Sequence, residues 1–92
     1  MSASVVVGLD IGTTSSKAVA WSASRRQSGP YAEQPTPWQT DDCGRTEIDP
    51  YRLVDVAVDL IGRAVRAAES VWGPLLVRAV GVTGAWPPRQ FG

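Results

Sequence analysis

Apolar and polar positions fall in blocks that predict a strand, a returning strand, a long helix and a further strand. Val5, Val6, Val7, Leu9 and Ile11 make a nearly continuous apolar run, the pattern of a strand covered on both faces. Asp10 interrupts that run near its end, and Gly12-Thr13-Thr14-Ser15-Ser16 follow as a tight polar turn. From Lys17 to Trp21 the chain alternates loosely, with Lys17, Val19 and Trp21 on one side and Ala18 and Ala20 on the other. That alternation predicts a second strand returning beside the first. Ser22 to Gly29 is polar and reads as a surface turn in which Arg25 and Arg26 are solvated charges. Tyr31 to Gln34 predicts a short third, antiparallel strand, limited by Pro30 and Pro35. Residues 35–44 read as irregular chain: Pro35 and Pro37 favour extended backbone, and Asp41-Asp42 precede a turn at Gly44.

A helix is predicted from about Pro50 to Trp72. Asp49 is a good N-cap, Pro50 suits the first helical position, and Gly73-Pro74 ends the helix. Leu53, Val56, Ala57, Leu60 and Ala64 form one apolar row, and Val54, Val58, Ile61, Val65 and Ala68 form a second beside it. Together they span more than half the circumference, against a stripe of about 100° on an ordinary surface helix. Such a helix wants two apolar partners, and one sheet supplies only one. Leu75 to Val82 is another apolar run, read as a strand parallel to the first and reached by a helical crossover. Thr83-Gly84 then lies at the carboxyl edge of the sheet, where open α/β sheets place ligands, beside Asp10.

The hairpin tip carries the candidate chemistry. Gly12 allows a tight turn without a Cβ, so that backbone N–H groups can converge on phosphate oxygens. Thr13, Thr14, Ser15 and Ser16 add hydroxyl donors. Asp10 repels phosphate but can hold Mg²⁺, or a water on Mg²⁺, that bridges to it. Lys17 is the only lysine beside eight arginines, a compact and mobile charge able to reach a phosphate across the hairpin. The same residues also suit an ordinary hairpin with a polar tip, with Asp10 merely starting the turn.

Composition narrows the field. Nine cationic and nine anionic side chains cancel, leaving no nucleic-acid footprint, polybasic membrane anchor or acidic tail. With no histidine and one cysteine, the usual zinc sites and an internal disulfide are excluded. Cys43 has no partner histidine, so a catalytic thiol is not expected. Asp41 and Asp42 are read as solvated turn residues rather than metal ligands. The N-terminus lacks the basic region of a signal peptide and no segment approaches a membrane span. The expectation is a cytoplasmic chain with no membrane or nucleic-acid partner, forming one small domain or part of a larger one.

GLDIGTTSSKAV, which ends at Val19, resembles the first phosphate-binding segment of the actin-like ATPase superfamily, and within it the FGGY carbohydrate kinases. GRTEIDP (Gly44 to Pro50) is similar to that family's G-x-x-E-x-D-P segment, and AVGVTG (Ala79 to Gly84) to its next core strand and turn. The resemblance implies a ribonuclease H-like α/β fold: three antiparallel strands, one helix, and a fourth strand parallel to the first. It implies ATP-dependent phosphorylation of a sugar or polyol hydroxyl, with ATP and Mg²⁺ as cofactors. Asp10 would hold the metal, and Gly12, Thr13, Thr14, Ser15 and Lys17 would bind the nucleotide phosphates. Asp49 caps the helix on either reading, and Glu47 is left open between a place near the sugar and one at the hinge.

The resemblance covers residues 5–84. Beyond it, Ala85-Trp86-Pro87-Pro88-Arg89-Gln90-Phe91-Gly92 contains none of the sugar-contacting residues the family would place there. The family's catalytic aspartate and adenosine-binding domain belong to later sequence. Residues 1–84 are therefore read as the N-terminal portion of a kinase first domain, and 85–92 as a divergent tail. A frame shift ahead of a Met-Ala codon pair would produce the Trp-Pro of that tail; a locus with no kinase-like frame downstream would exclude this origin. The expected product is a fragment inactive alone, with a helix face that needs a missing domain or partner. The alternatives are a noncatalytic remnant, a small interaction module, or another actin-like ATPase family, such as the chaperone or activator ATPases.

Overall fold

The computed structural model describes residues 3–40, 44 and 46–84. Asp41, Asp42, Cys43 and the tail 85–92, for which turn and tail readings were made above, lie outside the described residues. The order of elements is β1 (Ala3–Ile11), β2 (Ser15–Ser22), β3 (Gln27–Ser28), β4 (Ala32–Pro35), β5 (Trp38–Thr40), β6 (Thr46–Ile48), α1 (Pro50–Trp72) and β7 (Leu75–Gly84).

β1 and β2 form an antiparallel hairpin in which Asp10 faces Lys17 and Ile11 faces Ser16. The far side of β2 is shared: β3 pairs with its end through Trp21–Ser28, and β4 with its start through Ser15–Pro35 to Ala18–Ala32. On the other side of β1 runs β7, parallel, with Asp10 opposite Thr83 and Ile11 opposite Gly84. Three antiparallel strands, a helix and a parallel strand are thus present as the pattern predicts. β5 and β6 add a separate two-stranded antiparallel ribbon, where residues 35–44 read as irregular. Three-residue strands punctuated by proline and glycine are too short to show a period-2 signal.

One face of the sheet carries the core. Val5, Val7, Leu9 and Ile11 of β1, Ala18 and Ala20 of β2, and Ala32 of β4 are buried against Leu60, Ala64 and Ala68 of α1. The five alanines let helix and sheet backbones approach closely. At Gly29 the approach is tight enough that an added Cβ would stand 3.1 Å from the Ala68 Cβ. The second face is open. Val6 is 42% exposed, so β1 is covered on one face and not on two. Three consecutive valines concealed the inside–outside alternation that the burial shows.

The helix starts and stops where the sequence predicts. The Asp49 carboxylate accepts from the Tyr51 N–H at 2.9 Å, Pro50 follows the cap, and Gly73 closes the end at φ 78° with its N–H donating to the Glu69 carbonyl at 2.8 Å. Leu60 and Ala64 of the first apolar row and Ala68 of the second reach the centre of the core, with Leu53, Val56, Ala57, Ile61 and Val65 half-buried around them. Val54 and Val58 of the second row are 58% and 65% exposed. The helix-side valines of β7, Val77, Val80 and Val82, are also open to solvent. Among the described residues no helix is long and apolar enough to cross a membrane.

Candidate phosphate-binding site

The candidate site occupies the carboxyl ends of β1 and β7 and the tip of the β1–β2 hairpin. Strand alternation turns Asp10 away from α1, and the register places Lys17 on one side of it and Thr83 on the other. The next row on the same face is Val19, Gly8 and Gly81. Two adjacent glycines leave no side chain there, and the rows enclose a depression of about 310 Å³ lined by Gly8, Leu9, Asp10, Lys17, Val19, Gly81 and Thr83. Asp10 and Thr83, assigned to the same sheet edge from sequence, are direct cross-strand neighbours.

The turn from Gly12 to Ser15 closes through a hydrogen bond from the Gly12 N–H to the Ser15 carbonyl at 3.0 Å. Thr13 and Thr14 are exposed at its tip. Among the described residues no hydrogen bond takes the N–H of Thr13 or Thr14. Two adjacent outward amides beside a carboxylate make a place for an anion bridged to a cation. The four hydroxyls divide by position. Those of Thr13 and Thr14 face solvent, Ser15 Oγ donates to Glu33 Oε2 at 2.7 Å, and Ser16 is buried in hydrogen-bond contact with Thr36 Oγ1 at 2.9 Å. Ser16 therefore braces the turn from the core side instead of presenting a donor to a ligand.

Lys17 is exposed, and its Nζ stands 5.2 Å from the centre of the Tyr31 ring. It makes no ion pair with Asp10 across the hairpin, and the aromatic contact draws its charge toward the β4 side. Among the described residues no cluster of three metal-ligating side chains exists. Asp10 alone suits Mg²⁺, which keeps several waters and commonly takes one protein carboxylate together with substrate phosphates.

Sequence reasoning missed the residues that hold the turn from behind. Thr36 Oγ1 donates to the Gly12 carbonyl at 2.6 Å, its N–H donates to the Thr14 carbonyl at 3.1 Å, and Trp38 Nε1–H donates to the Thr13 carbonyl. No local signal marks Thr36, since it sits between two prolines and its partners lie more than twenty residues earlier.

Comparison with known proteins places this geometry. No sequence-family description matches the chain, and no curated protein matches it by sequence. Among the solved structures that match are two that cover 90% of the chain. One is Plasmodium falciparum glycerol kinase with ADP, at TM-score 0.72 and 16% identity, and the other is gluconate kinase from Lactobacillus acidophilus, at TM-score 0.67 and 22% identity. The chain spans 16% of the length of each. At these identities the likeness is one of fold. The chain has the mixed α/β fold of the matched part of these two kinases.

Proposed function

We propose that this chain is the phosphate-binding portion of an ATP-dependent carbohydrate kinase, with Asp10 as the Mg²⁺ ligand and the Gly12–Ser15 turn as the phosphate cradle. The observation that carries the reading is the cross-strand pair Asp10–Thr83, set beside a turn whose tip amides lack a hydrogen-bond partner among the described residues. The fold shared with two carbohydrate kinases, one of them solved with ADP, supports it.

Phosphoryl transfer to an alcohol depends mostly on positioning and charge neutralisation. In this scheme the Thr13 and Thr14 amides and hydroxyls orient the phosphates, and Lys17 adds positive charge when it leaves the Tyr31 ring. Mg²⁺, when bound, neutralises phosphate charge. The acceptor is a sugar or polyol hydroxyl. The residues that would choose the sugar and take its proton belong to later sequence in the resembling family, and the role proposed for this chain is to bind the nucleotide phosphates. Its site is open to water, and we expect a dissociation constant near about 1 mM, roughly −4 kcal/mol.

Calorimetric titration of the 92-residue chain with magnesium-ATP tests the reading. Heat of binding that vanishes in Asp10→Asn supports it. Equal binding by wild type and Asp10→Asn refutes the role of Asp10, and no binding by wild type refutes the proposal for this chain.

A second reading, a noncatalytic interaction module, is favoured by one feature. Val54 and Val58 of α1 and Val80 and Val82 of β7 are all exposed, and exposed apolar surface of this kind marks an interface.

A further inference from the structure

We propose that Thr36 and Trp38 are positioning residues for the anion-binding turn. The inference rests on the phosphate-binding reading above and adds the device that aims the amides. In a planar trans peptide the carbonyl of one residue and the N–H of the next point in opposite directions. The carbonyls of Gly12, Thr13 and Thr14 are all taken by one short segment, through Thr36 Oγ1, Trp38 Nε1 and the Thr36 N–H respectively. Their amide partners, the N–H groups of Thr13, Thr14 and Ser15, are thereby directed away from that segment. Three consecutive peptide units are oriented by three donors from residues 36–38.

The segment is itself held firmly. Thr36 is 6% exposed, its hydroxyl also contacts Ser16 Oγ at 2.9 Å, and the Trp38 N–H donates to the Thr36 carbonyl at 2.8 Å. Pro35 and Pro37 on either side restrict its backbone. Threonine is the residue type this position needs. Its hydroxyl can donate to the Gly12 carbonyl while accepting from Ser16, and its methyl fills buried space. Without these donors the peptide units of the turn are free to flip, and a flipped unit presents a carbonyl to an anion where an amide is required.

The test uses Thr36→Val, which keeps the shape and removes the hydroxyl, and Trp38→Phe, which keeps a ring and removes the indole donor. Ser16→Ala is the control: it removes the Ser16–Thr36 contact and leaves the Thr36–Gly12 bond in place. Thr36→Ser, which restores the hydroxyl, should restore the turn. Amide order parameters of Thr13 and Thr14 in the ligand-free protein are read first, then magnesium-ATP affinity. The expected result is loss of amide order in Thr36→Val and Trp38→Phe, with about a tenfold weaker dissociation constant each, the size of one net hydrogen bond. Thr36→Ser should behave as wild type, and Ser16→Ala, which leaves the Thr36–Gly12 bond in place, should lose less amide order than Thr36→Val. Order in Thr36→Val and Trp38→Phe equal to wild type would overturn the proposal. Loss of order in Ser16→Ala equal to that in Thr36→Val would also overturn it, because burial and not the carbonyl bond would then hold the turn. An ordered wild-type turn that ignores magnesium-ATP would instead refute the nucleotide reading, leaving the positioning role to be decided by the order parameters.

Discussion

The Gly12 N–H donates to the Ser15 carbonyl at 3.0 Å, and a Cβ built on Gly12 would stand 2.5 Å from that same oxygen. The contact is with backbone at the neck of the hairpin, where no flexible side chain can move aside. Gly12→Ala is therefore expected to open the turn and destabilise the chain by about 1–3 kcal/mol, the range of overpacking in a well-packed site. Urea denaturation checks it. An unchanged midpoint would mean that the neck of the hairpin is looser than this geometry.

Asp49 and Gly73 define the two ends of α1. Asp49→Ala removes the acceptor of the Tyr51 N–H and is expected to cost about 1 kcal/mol. In a domain of this size that lowers the melting temperature by roughly 4–8 °C. Thermal unfolding followed by circular dichroism measures the shift. A loss of nucleotide binding without a shift in melting would instead assign Asp49 to the site.

Leu60 is fully buried, whereas Val58, two positions earlier on the same helix, is 65% exposed. Leu60→Ala is expected to cost about 2–5 kcal/mol, enough to unfold much of a small domain. Val58→Thr should change stability by no more than about 0.5 kcal/mol. Denaturant midpoints of the pair check whether α1 seats on the face centred on Leu60. A large cost at Val58 would show that the open face is covered in solution, and sedimentation velocity would then reveal a self-associated species.

Much of this architecture is legible along the chain because it rests on local chemistry. The α1 boundaries follow from Asp49-Pro50 and Gly73-Pro74, each a short-range signal. The hairpin follows from the alternation after Ser16, and the parallel β7 from the apolar run that follows a helix. The sidedness of β1 was hidden by Val5-Val6-Val7, where alternating burial falls on identical residue types. The β5–β6 ribbon pairs Trp38 with Ile48, a contact between short segments that carry no periodicity. The candidate site divides the same way. Asp10, Gly12 and the hydroxyls stand in one short motif, but the bracing by Thr36 and Trp38 exists only after β4 has paired with β2. The different duties of Ser15 and Ser16 also depend on tertiary partners, Glu33 and Thr36.

The proposed site puts nucleotide phosphates with their metal at the carboxyl ends of β1 and β7. Paramagnetic broadening by manganese-ADP, recorded on the amides of the wild-type chain, tests it most directly, because broadening falls off steeply with distance from the metal. The account predicts strongest broadening at Asp10 through Ser15 and at Thr83, little along α1, and loss of the pattern in Asp10→Asn. Broadening centred on another carboxylate such as Asp55 or Glu69, or spread evenly over the chain, would contradict it.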